Sequence, residues 1–211
     1  MPIKSDREYR DMSIEIRKAE DASDEKVVEG YFTTFDSPYL LYSRNGNEIW
    51  ETVDPAAFDE TDMTDVIMQY DHQGRVFARK SNGTLEIDKD DHGMKMSADL
   101  GGTTIGQELY EEIRGGYTSK MSFGFTVTEE EYRTEWFDND HWKDTRIIKK
   151  VGKLYDVSAV SLPANDQTEI SARSLFDGVS EQRMSERAKV LDDKAKELRL
   201  KMMLRIKTLE E

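Results

Sequence analysis

The sequence predicts a mainly β protein with flanking helices, an α+β fold built on a closed or nearly closed antiparallel β-barrel and followed by a long C-terminal helix. Two observations predict it. Short alternating or apolar β-type segments, separated by turn residues, crowd the chain as far as Leu162. After Gly178 both Gly and Pro disappear and apolar residues settle into a coiled-coil-like spacing.

The elements follow in order. Met12, Ile14 and Ile16 alternate with polar residues as on a half-buried strand, and 27–35 continues the β pattern with Gly30 as a bulge. Further strands are expected at 64–70, 84–88, 94–100, 119–127, 146–150 and 154–162, with turns at Ser81-Asn82-Gly83 and Asp90-Asp91-His92-Gly93. Residues 103–114 place Ile105, Leu109 and Ile113 on one helical face, with Thr104 and Gln107 in capping-box spacing and Gly115-Gly116 as the stop. In the tail, Met184, Ala188, Leu191, Ala195, Leu198, Met202 and Leu209 alternate by four and three, interrupted only by Arg205. The expected division is a barrel domain over 1–173, an exposed joint at 174–178 and a helical segment over 179–211. The seam of that segment needs a partner: another copy of the chain, a different protein or the barrel itself.

Composition narrows the function. A chain of 211 residues is long enough to bury a sizeable core. Its net charge of −14 argues against direct nucleic-acid binding, which is built from clustered Lys and Arg, and favours basic protein surfaces as partners. The absence of cysteine excludes disulfides, thiolate nucleophiles and Cys-based metal sites. Neither a signal-peptide core nor an apolar run of membrane-spanning length occurs, so a soluble cytoplasmic protein is expected, with no membrane partner.

Lys120-Met121-Ser122-Phe123-Gly124-Phe125 sets one hydroxyl and one glycine inside an apolar strand. Glycine in a strand interior marks a place where another group comes close. Ser122 beside it is therefore the candidate nucleophile, the alternative being an ordinary strand serine bonded to a neighbouring carbonyl. A serine needs a base. His92 lies in a solvated turn of Asp and Gly, and His141 in the acidic loop Phe137-Asp138-Asn139-Asp140-His141-Trp142. His72 follows the apolar strand 66–70, a rigid element that would hold an imidazole at its end, and is the best base; a surface turn histidine beside Gly74 is the alternative. Asp156, heading the apolar run Val157-Ser158-Ala159-Val160, is the candidate orienting carboxylate, with a solvent-facing strand-start aspartate as its alternative. The order His72, Ser122, Asp156 differs from those of chymotrypsin, subtilisin and the α/β-hydrolases.

Asp71-His72, the run from Lys120 to Phe125, and Tyr155 to Val160 closing on Leu162-Pro163-Ala164-Asn165 together resemble the prohead maturation proteases of tailed bacteriophages, relatives of the herpesvirus assemblins. The resemblance implies His72, Ser122 and Asp156 as catalytic members of a serine endopeptidase with the assemblin-like fold. In the phage enzymes the third member is often Glu and in assemblins His, which keeps His141 as the alternative third member. Backbone amides near Ala164 and Asn165 are implied as oxyanion donors. No cofactor or metal is implied. The implied substrates are the scaffolding segment of the major capsid protein, any separate scaffold and the protease itself, cut inside the immature prohead in the host cytoplasm. Homo-oligomerisation through the C-terminal helix is a further expectation. The competing readings are a catalytically silent scaffolding protein that keeps the protease fold, and an unrelated acidic β-barrel binding module.

Overall fold

Apolar alternation across β3 (Val27–Thr34) and β9 (Gly93–Asp99) buries Val28, Phe32, Met94, Met96 and Ala98 on one face, and the two strands pair antiparallel. They form the centre of a four-stranded sheet, β2-β3-β9-β8, with β2 (Arg17–Lys18) and β8 (Leu85–Lys89) at its edges. The computed structural model describes residues 7–15, 17–18, 26–138, 140–161 and 166–207. A second, seven-stranded sheet follows the order β1-β10-β11-β5-β4, from β1 (Glu8–Glu15), β10 (Lys120–Trp136), β11 (Trp142–Val160), β5 (Asn47–Val53) and β4 (Tyr39–Arg44). The strands β6 (Ile67–Tyr70) and β7 (Gln73–Arg79) branch from it, β6 pairing with β11.

Among the described residues both sheets are open, which corrects the expectation of a closed antiparallel barrel. Three features keep them open. Both β5 and β6 run parallel to β11, against its Lys143–Ile148 and Asp156–Ala159 stretches respectively, so the ladder branches instead of wrapping. β7 passes into β8 through a single 3₁₀ turn, Lys80–Asn82, without pairing to it. Finally, the end of β3 meets the end of β5 through one isolated bridge, Phe35 to Val53. Closure requires an unbroken ladder with consistent stagger. The core fills the space between the sheets, with Phe32, Met68, Met121, Phe123 and Phe125 almost wholly buried and the Phe123 and Phe125 rings stacked 4.5 Å apart.

The strands expected at 146–150 and 154–162 are one strand. Register shifts at Gly124/Phe125, Thr126/Val127 and Val127/Glu129 absorb the irregularity around Gly152, so a glycine that resembles a break instead accompanies bulges in a continuous hairpin. The β4–β5 hairpin was not anticipated from the sequence. Its turn, Asn45-Gly46, has both residues left-handed, the geometry of the twist-matching two-residue hairpin turn.

The first helix, α1 (Thr104–Arg114), is capped by Thr103, whose side chain accepts from Gly106 N at 3.1 Å. The expected Thr104–Gln107 box does not form, because Thr103 rather than Thr104 is the cap and Gln107 Oε1 accepts from Lys26 Nζ at 2.9 Å while its amide donates to Gly101 O at 2.8 Å. Leu109, Tyr110 and Ile113 turn into the core. An ionic cluster ties β1 to β5 and β11: Arg10 Nε donates to Glu51 Oε1 at 2.5 Å, and Arg146 Nη1 donates to Glu51 Oε2 and Glu8 Oε2, each at 2.7 Å. Burial alone would push Glu8 upward, but the Arg146 and Arg10 guanidinium groups win and hold its carboxyl down at about 2. Its stabilisation is therefore present above the ordinary carboxylate range and is lost as pH falls towards 2.

The C-terminal helix α2 runs from Asp166 to Lys207 and includes the stretch 174–178 that the sequence suggested as an exposed joint. Phe176 and Val179 are buried against Ile49 and Trp142, and Arg183 donates to the fully buried Asp144 at 2.9 Å. Beyond Arg183 the apolar stripe is open, with Met184, Leu191, Leu198 and Met202 all exposed. Among its described side chains the helix therefore packs on the sheet from Phe176 to Arg183, with Arg187 lying over the Trp136 ring, and is exposed from Ala188 onward as far as Met203. Truncation after Gly178 should cost about 1.5–3 kcal/mol through the lost burial of Val179, besides the Arg183–Asp144 ion pair. Truncation after Lys189 should stay within about 0.5 kcal/mol of the full chain. Urea unfolding of both truncated chains measures the difference, and equal losses would contradict this account.

Candidate active site

A two-residue turn sets the histidine. Tyr70 pairs with Gln73, leaving Asp71-His72 to connect β6 to β7, and both residues take left-handed φ values, 49° and 57°. Such values are uncommon outside glycine and concentrate where function over-determines the backbone. The turn is tied to the end of β11. Asp71 Oδ1 and Oδ2 accept from Ser161 N and Oγ, each at 2.9 Å, and Asp71 N donates to Ala159 O at 2.9 Å. Asp71→Ala should cost about 2 kcal/mol through the left-handed backbone and the lost bonds to Ser161, with a matching fall in site reactivity. Asp71→Asn keeps an acceptor and a residue tolerant of that backbone, and should stay near wild type in thermal unfolding.

Neighbouring strands supply the other two groups. Across the β10–β11 ladder Ser122 faces Ser158 and Gly124 faces Asp156, so the hydroxyl and the carboxylate share one face two residues apart. His72 lies between them: its Nε2 is 2.5 Å from Ser122 Oγ and its Nδ1 is 2.5 Å from Asp156 Oδ1. A carboxylate only accepts, so Nδ1 carries the proton and Nε2 accepts from the Ser122 hydroxyl. Ser158 Oγ also donates to Asp156 Oδ1 at 2.7 Å, and the Arg7 guanidinium pairs with Asp156 Oδ2. Tyr9 packs edge-on to the His72 ring, centroids 4.5 Å apart. Ser122 and Asp156 are 0% exposed, which keeps bulk water off the group.

His141 is not part of this constellation. It sits in the β10–β11 turn, about 50 Å further along the ladder at strand spacing, where its Nδ1 is 2.7 Å from Asp138 Oδ2. The Asp138 carboxylate pushes its pKa up. His92 is exposed and packs edge-on to Tyr31. Ala164 and Asn165, the expected oxyanion donors, lie outside the described residues. Sequence reasoning missed Asp71 as an anchor, Ser158 and Arg7. Ser158 carried a usable signal, since it follows Asp156 by two on one strand and must share its face; Arg7 carried none. Among the described residues no group of three or more His, Asp or Glu side chains converges as a metal site.

The model of one protein family, the caudovirus prohead serine proteases, matches residues 12–185. The chain belongs to this family. The protease is accordingly a hydrolase of the serine peptidase type, and the matched span contains His72, Ser122, Asp156 and α2 beyond the Arg183–Asp144 pair. No curated protein and no solved structure matches the chain significantly. Among the described residues no helix of the protease is long and apolar enough to cross a membrane.

Proposed function

We propose that the protease cuts peptide bonds with Ser122 as nucleophile, His72 as general base and acid, and Asp156 as the group that orients His72. The observation that carries the reading is the imidazole bonded on one side to the Ser122 hydroxyl and on the other to a buried carboxylate. His72 takes the Ser122 proton as Oγ attacks the carbonyl and returns it to the leaving amine, a contribution of about 10²–10⁴-fold. Asp156 steadies the imidazolium formed between those steps. Backbone amides near Ala164 and Asn165 are the proposed oxyanion donors. Because Ser122 is fully buried, a peptide reaches it only after the side chains over it move.

The proposed substrates are the scaffolding segment of the major capsid protein, any separate scaffold and the protease itself, cut inside the prohead in the host cell. Membership of the prohead serine protease family supports that setting. The exposed stripe of α2 is the proposed assembly surface, seating a second copy or a helical scaffold segment on Leu191, Leu198 and Met202. A chain ending at Lys189 would then keep hydrolysis and lose association in sedimentation. A silent scaffolding role is the competing reading, and chemical labelling separates the two. A fluorophosphonate should label the protease at Ser122 but not the Ser122→Ala variant, and intact mass after co-expression with the capsid protein should show shortened products only with the wild type. Equal labelling of both chains would sink the proposal.

A further inference from the structure

We infer that Arg7 is a positioning residue of the hydrolytic site, reaching Asp156 from just ahead of the edge strand β1 through a window that Gly124 leaves open. The inference rests on the reading of Ser122, His72 and Asp156 as the reacting group. It concerns a residue that lies ahead of the family-matched span, which begins at residue 12.

The strand order decides how such a contact can be made. β1 pairs with β10 and β10 with β11, so roughly 9–10 Å of sheet separates β1 from β11, and a side chain near β1 meets Asp156 only by crossing over β10. The crossing point is Gly124, which faces Tyr9 on one side and Asp156 on the other. Arg7 is two residues before Tyr9 and shares its face. A Cβ at position 124 would lie 2.5 Å from Asp156 Oδ2, and 2.7 and 2.9 Å from Arg7 Nε and Nη2. Any other residue there would close the window. The missing side chain of the glycine in the Ser-Phe-Gly run therefore lets a cation from one strand touch a carboxylate two strands away.

The guanidinium is also held in direction. It lies over the Tyr9 ring at 5.1 Å and over the Tyr155 ring at 4.6 Å, flanked by both. Asp156 is consequently fixed at both oxygens, Oδ1 by His72 and Ser158 and Oδ2 by Arg7. Rotation of the carboxylate away from the imidazole would break the ion pair at Oδ2. Tyr9 on the same strand backs His72, so docking of β1 is a condition for a reactive Ser122.

The rate of Ser122 labelling by a fluorophosphonate, followed against pH in the full chain, tests this without a known substrate. Arg7→Met should lower the limiting labelling rate about 10–100-fold, the effect of misplacing a reacting group. It should also move the acid limb of the profile to higher pH, because loss of a neighbouring cation favours the imidazolium form of His72. Arg7→Lys, which keeps the charge but not the fork, should lower the rate and leave the limb in place. Gly124→Ala should lower the rate by pushing Arg7 and Asp156 apart, and combining it with Arg7→Met should add little, since both remove one contact. An Arg7→Met chain with an unchanged rate, or with a lower rate and an unmoved limb, would overturn the inference. If wild type itself fails to label at Ser122, the triad reading falls and this inference with it; a labelled enzyme indifferent to Arg7 overturns this inference alone.

Discussion

Replacing Ser122 by alanine is expected to abolish peptide hydrolysis and self-processing while leaving the protein folded. The loss should be on the order of 10⁶ in turnover, because the members of such a group act as a unit and the nucleophile has no substitute. The fold should survive because the change removes one oxygen from a small side chain. The Ser122 hydroxyl bonds to His72 Nε2, and a single lost hydrogen bond costs about 1 kcal/mol. Active-site titration beside thermal unfolding checks both halves of the statement. A variant that cleaves at near wild-type rate would remove Ser122 from the chemistry, whatever the state of the fold.

Asp156→Asn is expected to cost about 10⁴ in turnover, because an amide can present a donor to His72 Nδ1 and so favour the tautomer whose Nε2 carries the proton. The variant should remain folded but weakened, since Arg7 would be left facing a neutral amide. His141→Ala, by contrast, should leave turnover unchanged, its imidazole being paired with Asp138 in an exposed turn at the far end of the hairpin. Steady-state kinetics on the two variants distinguish these arrangements directly. The opposite ranking would mean that a Ser-His-His group operates and that the turn must fold back onto the sheet, against its present position.

The sequence by itself determined the chemistry-bearing residue types and most of the local structure. A hydroxyl and a glycine in an apolar strand, a histidine just past a strand and a carboxylate heading another could be read directly, because strand period and turn composition are local properties. The β character of the body, α1 and the helical tail were legible for the same reason. The Asn45-Gly46 turn carries a local hairpin signal of the same kind. Only the tertiary structure decided how these pieces meet. Closure of the sheets depends on which edges pair, and nothing local to β11 announces that two separate strands will lie parallel along it. The helix boundary moved for a related reason. Ser174, Asp177 and Gly178 suggest an exposed joint, yet Phe176 between them packs against Trp142 and Ile49, and burial against a distant strand outweighs weak local preference. Gly124 inside an apolar strand signals a close approach, but that the approaching group is the Arg7 guanidinium depends on strand order and register. A one-dimensional pattern records which face a side chain takes, and register across three strands is a long-range property that only the folded sheet supplies.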